Sequence, residues 1–346
     1  MIGGAELQMT VVGRLLAQRG LRVAQIVYPH RRLASSSEGV AVVQRAPSSV
    51  GRSGGPIKEW NAIWRALHRA SASTYVHRTA GPEVALTASY CRTAGARFIY
   101  SSSSTKEFTG EGLARPHRDR ALFRFGLRLA DLVVVQTAEQ EALARAQGVD
   151  GKVEVIPSVA QRPYDHGDAR NSGRLHFLWA GGVSTFKRPE IFVDLAQALP
   201  EARFEMVLAR RDSHHSFGVK GLRERAEGIP NLSLHEAMPR DQLMALIARA
   251  VAVVNTSVAE GMPNTFLEGW ARGVPALSYV VDPDGVIASR GLGVVAQGDP
   301  EQLLGGARTL WRDRSVGLEA GRRARLFVAE RHDPDLVGEQ WMRVLR

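Results

Sequence analysis

The segment Asn255-Thr-Ser-Val-Ala-Glu260-Gly-Met-Pro-Asn264-Thr-Phe-Leu-Glu268 sets two carboxylates eight positions apart around a turn that holds Gly261 and Pro263. An apolar strand ends near Asn255 and a helix is expected to open at about Asn264. That places Glu260 in the turn and Glu268 on the first turns of the helix, where both can point into one site. A helix start offers backbone N–H groups without intrahelical partners and the positive end of the peptide dipole, which suit a diphosphate. Carboxylates beside it suit hydrogen bonds accepted from sugar or ribose hydroxyls better than a shared metal. On spacing alone, a helix capped by Asn264 with an exposed glutamate explains the same pattern.

Other candidates are weaker. Asp282-Pro-Asp284 has the D-x-D form of a cation site but lies in a Pro/Gly turn, and no metal is expected there. Gly291-Leu-Gly293 lacks the third glycine and the following helix of a dinucleotide fingerprint. The ten histidines include His214-His215, yet no His-x3-His pair suggests a metal centre. Cys91 is the only cysteine, so neither an intrachain disulfide nor a thiolate cluster can form.

The elements that position these residues alternate. Helical spacing runs over 6–19, 60–70, 82–94 and 117–130, strand-like runs cover 21–28, 74–77, 97–101 and 132–136, and 153–157 ends the first unit. Residues 45–56, rich in Ser, Gly and Pro, read as a mobile loop. A polar stretch at 158–172 reads as a linker. Strands then recur at 175–180, 203–208, 232–234, 252–255, 275–277 and 294–295. Helices are expected at 189–199, 221–227, 240–249, 264–272, 300–311, 315–330 and 334–345. This is the pattern of parallel sheets with helices on both faces, in an α/β fold. A length of 346 residues exceeds one core and implies two domains, 1–160 and 161–330, with a closing helix in 331–346. Two such units imply a ligand cleft at the carboxyl ends of the strands.

Composition narrows the class. With 44% hydrophobic and 23% charged residues, the chain is neither disordered nor collagen-like. It has no run of about 18 apolar residues for a membrane span and no signal-peptide pattern, so a cytoplasmic location is expected. The net charge of +10 is uneven: residues 1–150 carry +9 and residues 151–346 carry +1. The basic half implies nucleic acid, an anionic membrane or a phosphate-bearing substrate. Solvated surface arginine explains it equally simply. The helix over 60–70 carries Arg65, His68 and Arg69 beside Trp60, Ile63, Trp64 and Leu67, with Lys58 just ahead. It could lie on an anionic leaflet, or its tryptophans could pack into the core.

Glu260 to Glu268 resembles the E-x7-E motif of the retaining family 4 glycosyltransferases. Three further segments resemble the family. They are Gly3-Gly4-Ala5-Glu6, the phosphate loop Phe177-Leu-Trp-Ala-Gly181-Gly182-Val-Ser-Thr-Phe-Lys187-Arg188-Pro189-Glu190, and the closing His332-Asp-Pro-Asp-Leu…Trp341. The resemblance implies a GT-B fold, with two Rossmann-like domains facing each other across a cleft. The first would bind the acceptor, the second the nucleotide sugar, and the last helix would pack back on the first. The chain opens at the glycine pair, so the first strand of that domain is expected to be missing.

The resemblance further implies that Glu268 binds ribose hydroxyls and Glu260 faces the transferred sugar. Gly261, Met262, Pro263, Asn264 and Thr265 would hold sugar hydroxyls and phosphate. Lys187 would neutralise charge growing on the leaving diphosphate, with Gly181, Gly182, Arg188, Gly3 and Gly4 near the donor phosphates. No cofactor or metal is implied. The expected partners are a nucleotide sugar and a glycan or lipid-linked acceptor in surface polysaccharide or glycolipid synthesis, with peripheral contact at the inner membrane face and no specific nucleic acid. A catalytically weak sugar-nucleotide-binding protein is the alternative.

Overall fold

A computed structural model of the protein describes residues 4–28, 36–45, 56–110, 116–149, 152–162, 173–209 and 216–346. Gly3, the His214-His215 pair and nearly all of the expected loop over 45–56 lie outside the described residues. The chain divides into two compact units, one of residues 4–159 with 335–346 and the other of residues 160–334.

The amino-terminal unit begins with α1 (Gly4–Gln18), β1 (Val23–Val27), β2 (Ser36–Ser37), β3 (Val40–Gln44) and α2 (Pro56–Ala70). It continues through β4 (Thr74–Arg78), α3 (Glu83–Ala94), β5 (Arg97–Ser101), α4 (Lys106–Thr109), α5 (Pro116–Leu129), β6 (Leu132–Val135), α6 (Ala138–Ala146) and β7 (Val153–Val155). Strands β4-β5-β6-β7 form one parallel sheet, and β1-β3-β2 form a second in which only the β2–β3 pair is antiparallel. Among the described residues no strand bridges β1 and β4. The two sheets share apolar layers instead: Ile26 joins the cluster that holds Tyr75, and Val23 and Val76 both join the cluster that holds Ile99.

Alternation along β5 shows how one strand serves two layers. Phe98 and Tyr100 belong to one apolar cluster with Leu67 of α2, Ala88 of α3 and Phe123 of α5, while Ile99 belongs to another with Val11, Val12 and Leu16 of α1. The second layer is completed from the far end of the chain by Val337 and Trp341 of α14 (Pro334–Leu345). Arg19 pairs with Asp335 at 2.7 Å, and Arg97 donates to the Val344 carbonyl at 2.6 Å. Helix α5 lies close on α3 because residue 126 is glycine: a Cβ there would stand 2.7 Å from the backbone of Val84 and Ala85.

The carboxy-terminal unit holds β8 (His176–Gly181), α7 (Pro189–Ala198), β9 (Phe204–Leu208), α8 (Ser216–Ala226), β10 (Leu232–His235), α9 (Arg240–Ala248) and β11 (Ala250–Asn255). After these come α10 (Asn264–Trp270), β12 (Ala276–Ser278), α11 (Val286–Arg290), β13 (Gly293–Val295), α12 (Pro300–Arg312) and α13 (Arg314–Arg331). Its six strands run parallel in the order β10-β9-β8-β11-β12-β13. Helices α7, α8 and α12 cover one face through Phe192, Leu222 and Leu303, and α9, α10 and α13 cover the other through Ile247, Trp270 and Phe327.

Strands β2, β3 and β7 and helices α4, α6 and α11 have no counterpart in the sequence expectation. Helix α2 opens at Pro56, ahead of its expected start, and α8 opens at Ser216, five residues before the expected start. Helix α6 is set by its cap, since the Thr137 hydroxyl accepts from the Gln140 amide. Gly126→Ala is expected to destabilise the amino-terminal unit by about 1–3 kcal/mol through overpacking. Urea unfolding would measure this, and an unchanged midpoint would show that α5 can move away from α3.

Candidate functional site

Strand order in the carboxy-terminal unit reverses between β8 and β11: β9 and β10 build outward from one, β12 and β13 from the other. The loops leaving β8 and β11 therefore diverge and open a crevice at the carboxyl edge, the usual ligand position in a parallel sheet. Lys187 rides on the first loop and Glu260 on the second.

Buried polar contacts hold the two loops in register. Trp179 Nε1, inside β8, donates to Thr256 Oγ1 at 2.9 Å, and that hydroxyl donates to the Lys187 carbonyl at 2.6 Å. The Val258 amide donates to the Phe186 carbonyl at 3.0 Å. The amides of Lys187 and Arg188 both turn back to the Ser184 carbonyl, at 3.1 and 3.2 Å. Arg188 adopts left-handed backbone geometry, φ 44°, just before Pro189 starts α7. Its guanidinium lies 5.4 Å from the centroid of the Tyr279 ring, a cation–π arrangement.

The fixed loops bring the first two candidate residues together. Lys187 Nζ donates to Glu260 Oε1, and the Ser257 hydroxyl donates to the same oxygen at 2.8 Å. A cation and an anion from opposite sides of the crevice thus meet in a half-buried setting. Gly181 ends β8, and Gly182 follows it. Gly261, Met262 and Pro263 are buried in the turn after Glu260, while Asn264 and Thr265 are half-buried at the start of α10. Pro263, not Asn264, occupies the cap position, and its carbonyl accepts from Phe266 and Leu267.

Glu268 is 7% exposed. Helix α10 sits tightly on β11 because Gly269 faces Val253, where a Cβ would come within 2.8 Å of a methyl group. Glu268 Oε1 accepts from Arg240 Nη2 at 2.8 Å. Burial pushes the Glu268 carboxyl above its ordinary pKa, and the neighbouring Arg240, then Arg272, act against that rise. Arg240 stands at the start of α9 and also holds Gln161 Oε1 through Nη2 and Nε, at 2.8 and 3.1 Å.

Of the remaining sequence candidates, Gly3 is outside the described residues, and Gly4 opens α1 in the other unit. Asp282 of the D-x-D segment caps α11, accepting from the Ile287 and Ala288 amides at 2.7 and 3.2 Å. Among the described residues no group of three or more His, Cys, Asp or Glu side chains is arranged to hold a metal ion. Sequence reasoning missed Arg240, Thr256, Ser257 and Tyr279. Thr256 and Ser257 lie inside the quoted carboxylate segment, whereas Arg240 is 28 positions from Glu268 and no spacing rule connects them.

Residues 3–158 match the family described as Glycosyl transferase 4-like domain, and residues 174–313 match Glycosyl transferases group 1. Among solved structures, sucrose-phosphate synthase from Thermosynechococcus elongatus aligns with a TM-score of 0.77 at 16% identity, covering 99% of this chain and 93% of that one. Anabaena Alr3699/HepE in complex with UDP-glucose aligns with a TM-score of 0.74 at 16% identity, covering 100% and 96%. WaaG, a glycosyltransferase involved in lipopolysaccharide biosynthesis, aligns at 0.71 and 17% identity over 98% and 95%. These likenesses establish the fold as GT-B, with two Rossmann-like units.

Thr256→Val keeps the shape of the loop junction but leaves Trp179 Nε1 and the Lys187 carbonyl without their partner. A loss of about 1–3 kcal/mol is expected, measured by urea unfolding. An unchanged stability would show that the hydroxyl does not tie the loops.

Proposed function

Since the chain belongs to the glycosyltransferases that join a glycosyl transferase 4-like domain to a group 1 domain, we propose that it moves a hexose-type sugar from a UDP-sugar to a glycan or lipid-linked acceptor, with retention of anomeric configuration. The observation that carries this reading is the meeting of Lys187 and Glu260 at the strand-order reversal, with Glu268 on the helix that follows. The choice of UDP draws on HepE, whose structure holds UDP-glucose.

In this reading Glu268 accepts hydrogen bonds from the ribose hydroxyls and Glu260 faces the transferred sugar. The diphosphate lies against Lys187 and Arg188, beside the Gly181-Gly182 turn and the backbone of Gly261 to Thr265. Breaking the bond between the anomeric carbon and the phosphate oxygen leaves an electron pair on the diphosphate. Lys187 stabilises that developing charge where a metal ion otherwise would. The acceptor hydroxyl attacks the anomeric carbon on the face that the diphosphate leaves. Before the donor arrives, Glu260, itself anchored by the Ser257 hydroxyl, holds the lysine in position.

The acceptor belongs to surface polysaccharide or glycolipid synthesis, in line with the role of WaaG, and the enzyme works in the cytoplasm at the inner membrane face. No described helix is long and apolar enough to cross a membrane. Helices α2 and α5 flank α3 in the layer over β5, and each turns basic residues outward beside an aromatic ring. On α2 these are Arg65 and His68 beside Trp64, which is 36% exposed and packs edge-on against Tyr90 at 5.0 Å. On α5, Arg118, Arg124 and Arg128 flank Phe125, which is 50% exposed. Such a surface suits an anionic leaflet.

The donor assignment is tested by thermal stabilisation with UDP-, GDP-, ADP- and dTDP-sugars in EDTA. UDP-sugars are expected to stabilise the protein, and Glu268→Ala to lose that response. Lys187→Ala is expected to lower turnover by about 100-fold or more. Stabilisation without transfer or hydrolysis would instead identify a sugar-nucleotide-binding protein, and no stabilisation by any donor would end the transferase reading. For the membrane surface, reversing Arg118, Arg124 and Arg128 to Glu should abolish sedimentation with anionic vesicles at low salt. Failure of the unsubstituted protein to sediment would remove the membrane from the proposal.

A further inference from the structure

Arg240 has no part in the roles assigned above, yet it is the one side chain that hydrogen-bonds the Glu268 carboxylate among the described residues. Its guanidinium is held from behind, because Nε and Nη2 both donate to Gln161 Oε1 at 3.1 and 2.8 Å. Nη2 then reaches Glu268 Oε1 at 2.8 Å. The geometry is one-sided. Oε1 is occupied, whereas Oε2 accepts no hydrogen bond among the described residues. An ion pair serving only to glue α9 to α10 would gain by engaging both oxygens, as bidentate arginine–carboxylate pairs do. Here the fork of Arg240 engages one oxygen and leaves the other free to accept. The other cation near this carboxylate, Arg272, gives Nη1 to the Glu268 backbone carbonyl at 2.9 Å and does not bond the carboxylate.

We propose that Arg240, oriented by Gln161, is the positioning residue of the donor site: it anchors Glu268 through Oε1 and keeps Oε2 an ionised acceptor for the paired hydroxyls of a ribose. The ribose part of this inference rests on the nucleotide-sugar reading above. Arginine suits the task because its fork fixes direction as well as charge, which a lysine ammonium does not. Charge matters as much as direction, since Glu268 is buried. Burial raises its pKa, and Arg240 is the largest influence opposing that rise, followed by Arg272. Removing the Arg240 charge lets the carboxyl take up a proton at higher pH. Donor binding that depends on the carboxylate then fails earlier as pH falls.

The deciding measurement is the titration of the Glu268 carboxyl carbon by NMR in protein labelled with 13C-glutamate, the signal being identified by its loss in Glu268→Gln. In Arg240→Gln the midpoint is expected to rise by about one pH unit or more, while Arg240→Lys keeps it near that of the unsubstituted protein. In parallel, UDP-glucose affinity is measured from pH 8 to pH 6. Arg240→Gln should lose about tenfold more affinity over that range than the unsubstituted protein, and Arg240→Lys should recover most of the difference. An identical Glu268 midpoint with and without Arg240 overturns the proposal. So does a loss of affinity in Arg240→Gln that is the same at every pH, which would mark a purely structural contact. If the midpoint moves but the unsubstituted protein binds no UDP-glucose, it is the nucleotide-sugar reading that fails, and the hold of Arg240 on Glu268 stands.

Discussion

The site depends on a single topological fact, the reversal of strand order between β8 and β11. In a parallel sheet every strand delivers its following loop to the same edge, and between most neighbours those loops turn the same way and pack together. Only where the order reverses do they part. Here the parting is bridged by Trp179, Thr256 and the Lys187 carbonyl, a short polar chain rooted inside β8. Since Trp179 is fixed by the apolar layer beneath the sheet, the position of Lys187 is inherited from the core and does not depend on a free loop.

The charges near this crevice follow from the same arrangement. Lys187 and Arg188 arrive on one loop, and two neighbouring cations need compensation. Glu260 supplies it to Lys187, and the Tyr279 ring lies beneath Arg188. Glu268 has the opposite problem, a carboxylate taken out of water by its position on α10, and Arg240 answers it from α9. Both pairs join residues from separate elements, so each charge is held at a fixed place by a partner on a neighbouring element. A buried charge without such a partner would be strongly destabilising.

Most of the architecture was legible in the sequence because its signals are local. The apolar run at β11, the apolar spacing of α13 and α14 and the Gly/Pro turn before α10 each mark an element within a few residues. Strand β5 and helix α14 fall at the expected bounds. Strand β3 was missed because its five residues lie in a region dominated by Ser and Gly. Glu260 and Lys187 stand out because they sit in glycine-containing turns between a strand and a helix, and Glu268 because it lies just past such a turn, on α10. Arg240 does not, because its partnership with Glu268 is created by the packing of α9 on α10. A contact made only in three dimensions leaves no periodic trace along the chain. The Trp179–Thr256 bond was hidden for the same reason: tryptophan in a strand reads as apolar filling, and its one polar atom carries no pattern.

The assignment of α14 to the amino-terminal unit bears on the order in which the protein is built. Val337 and Trp341 complete the layer formed by α1 and the inner face of β5 and β6, and they are translated after all of residues 160–334. While the ribosome is still making the carboxy-terminal unit, the amino-terminal unit has one apolar face uncovered. At about 5–20 residues per second, that exposure lasts roughly ten seconds or longer. The nascent chain therefore spends this interval as a natural client for chaperones that bind exposed apolar surface. Synthesis of α14, not of residues 4–159 alone, is the step that lets its fold close.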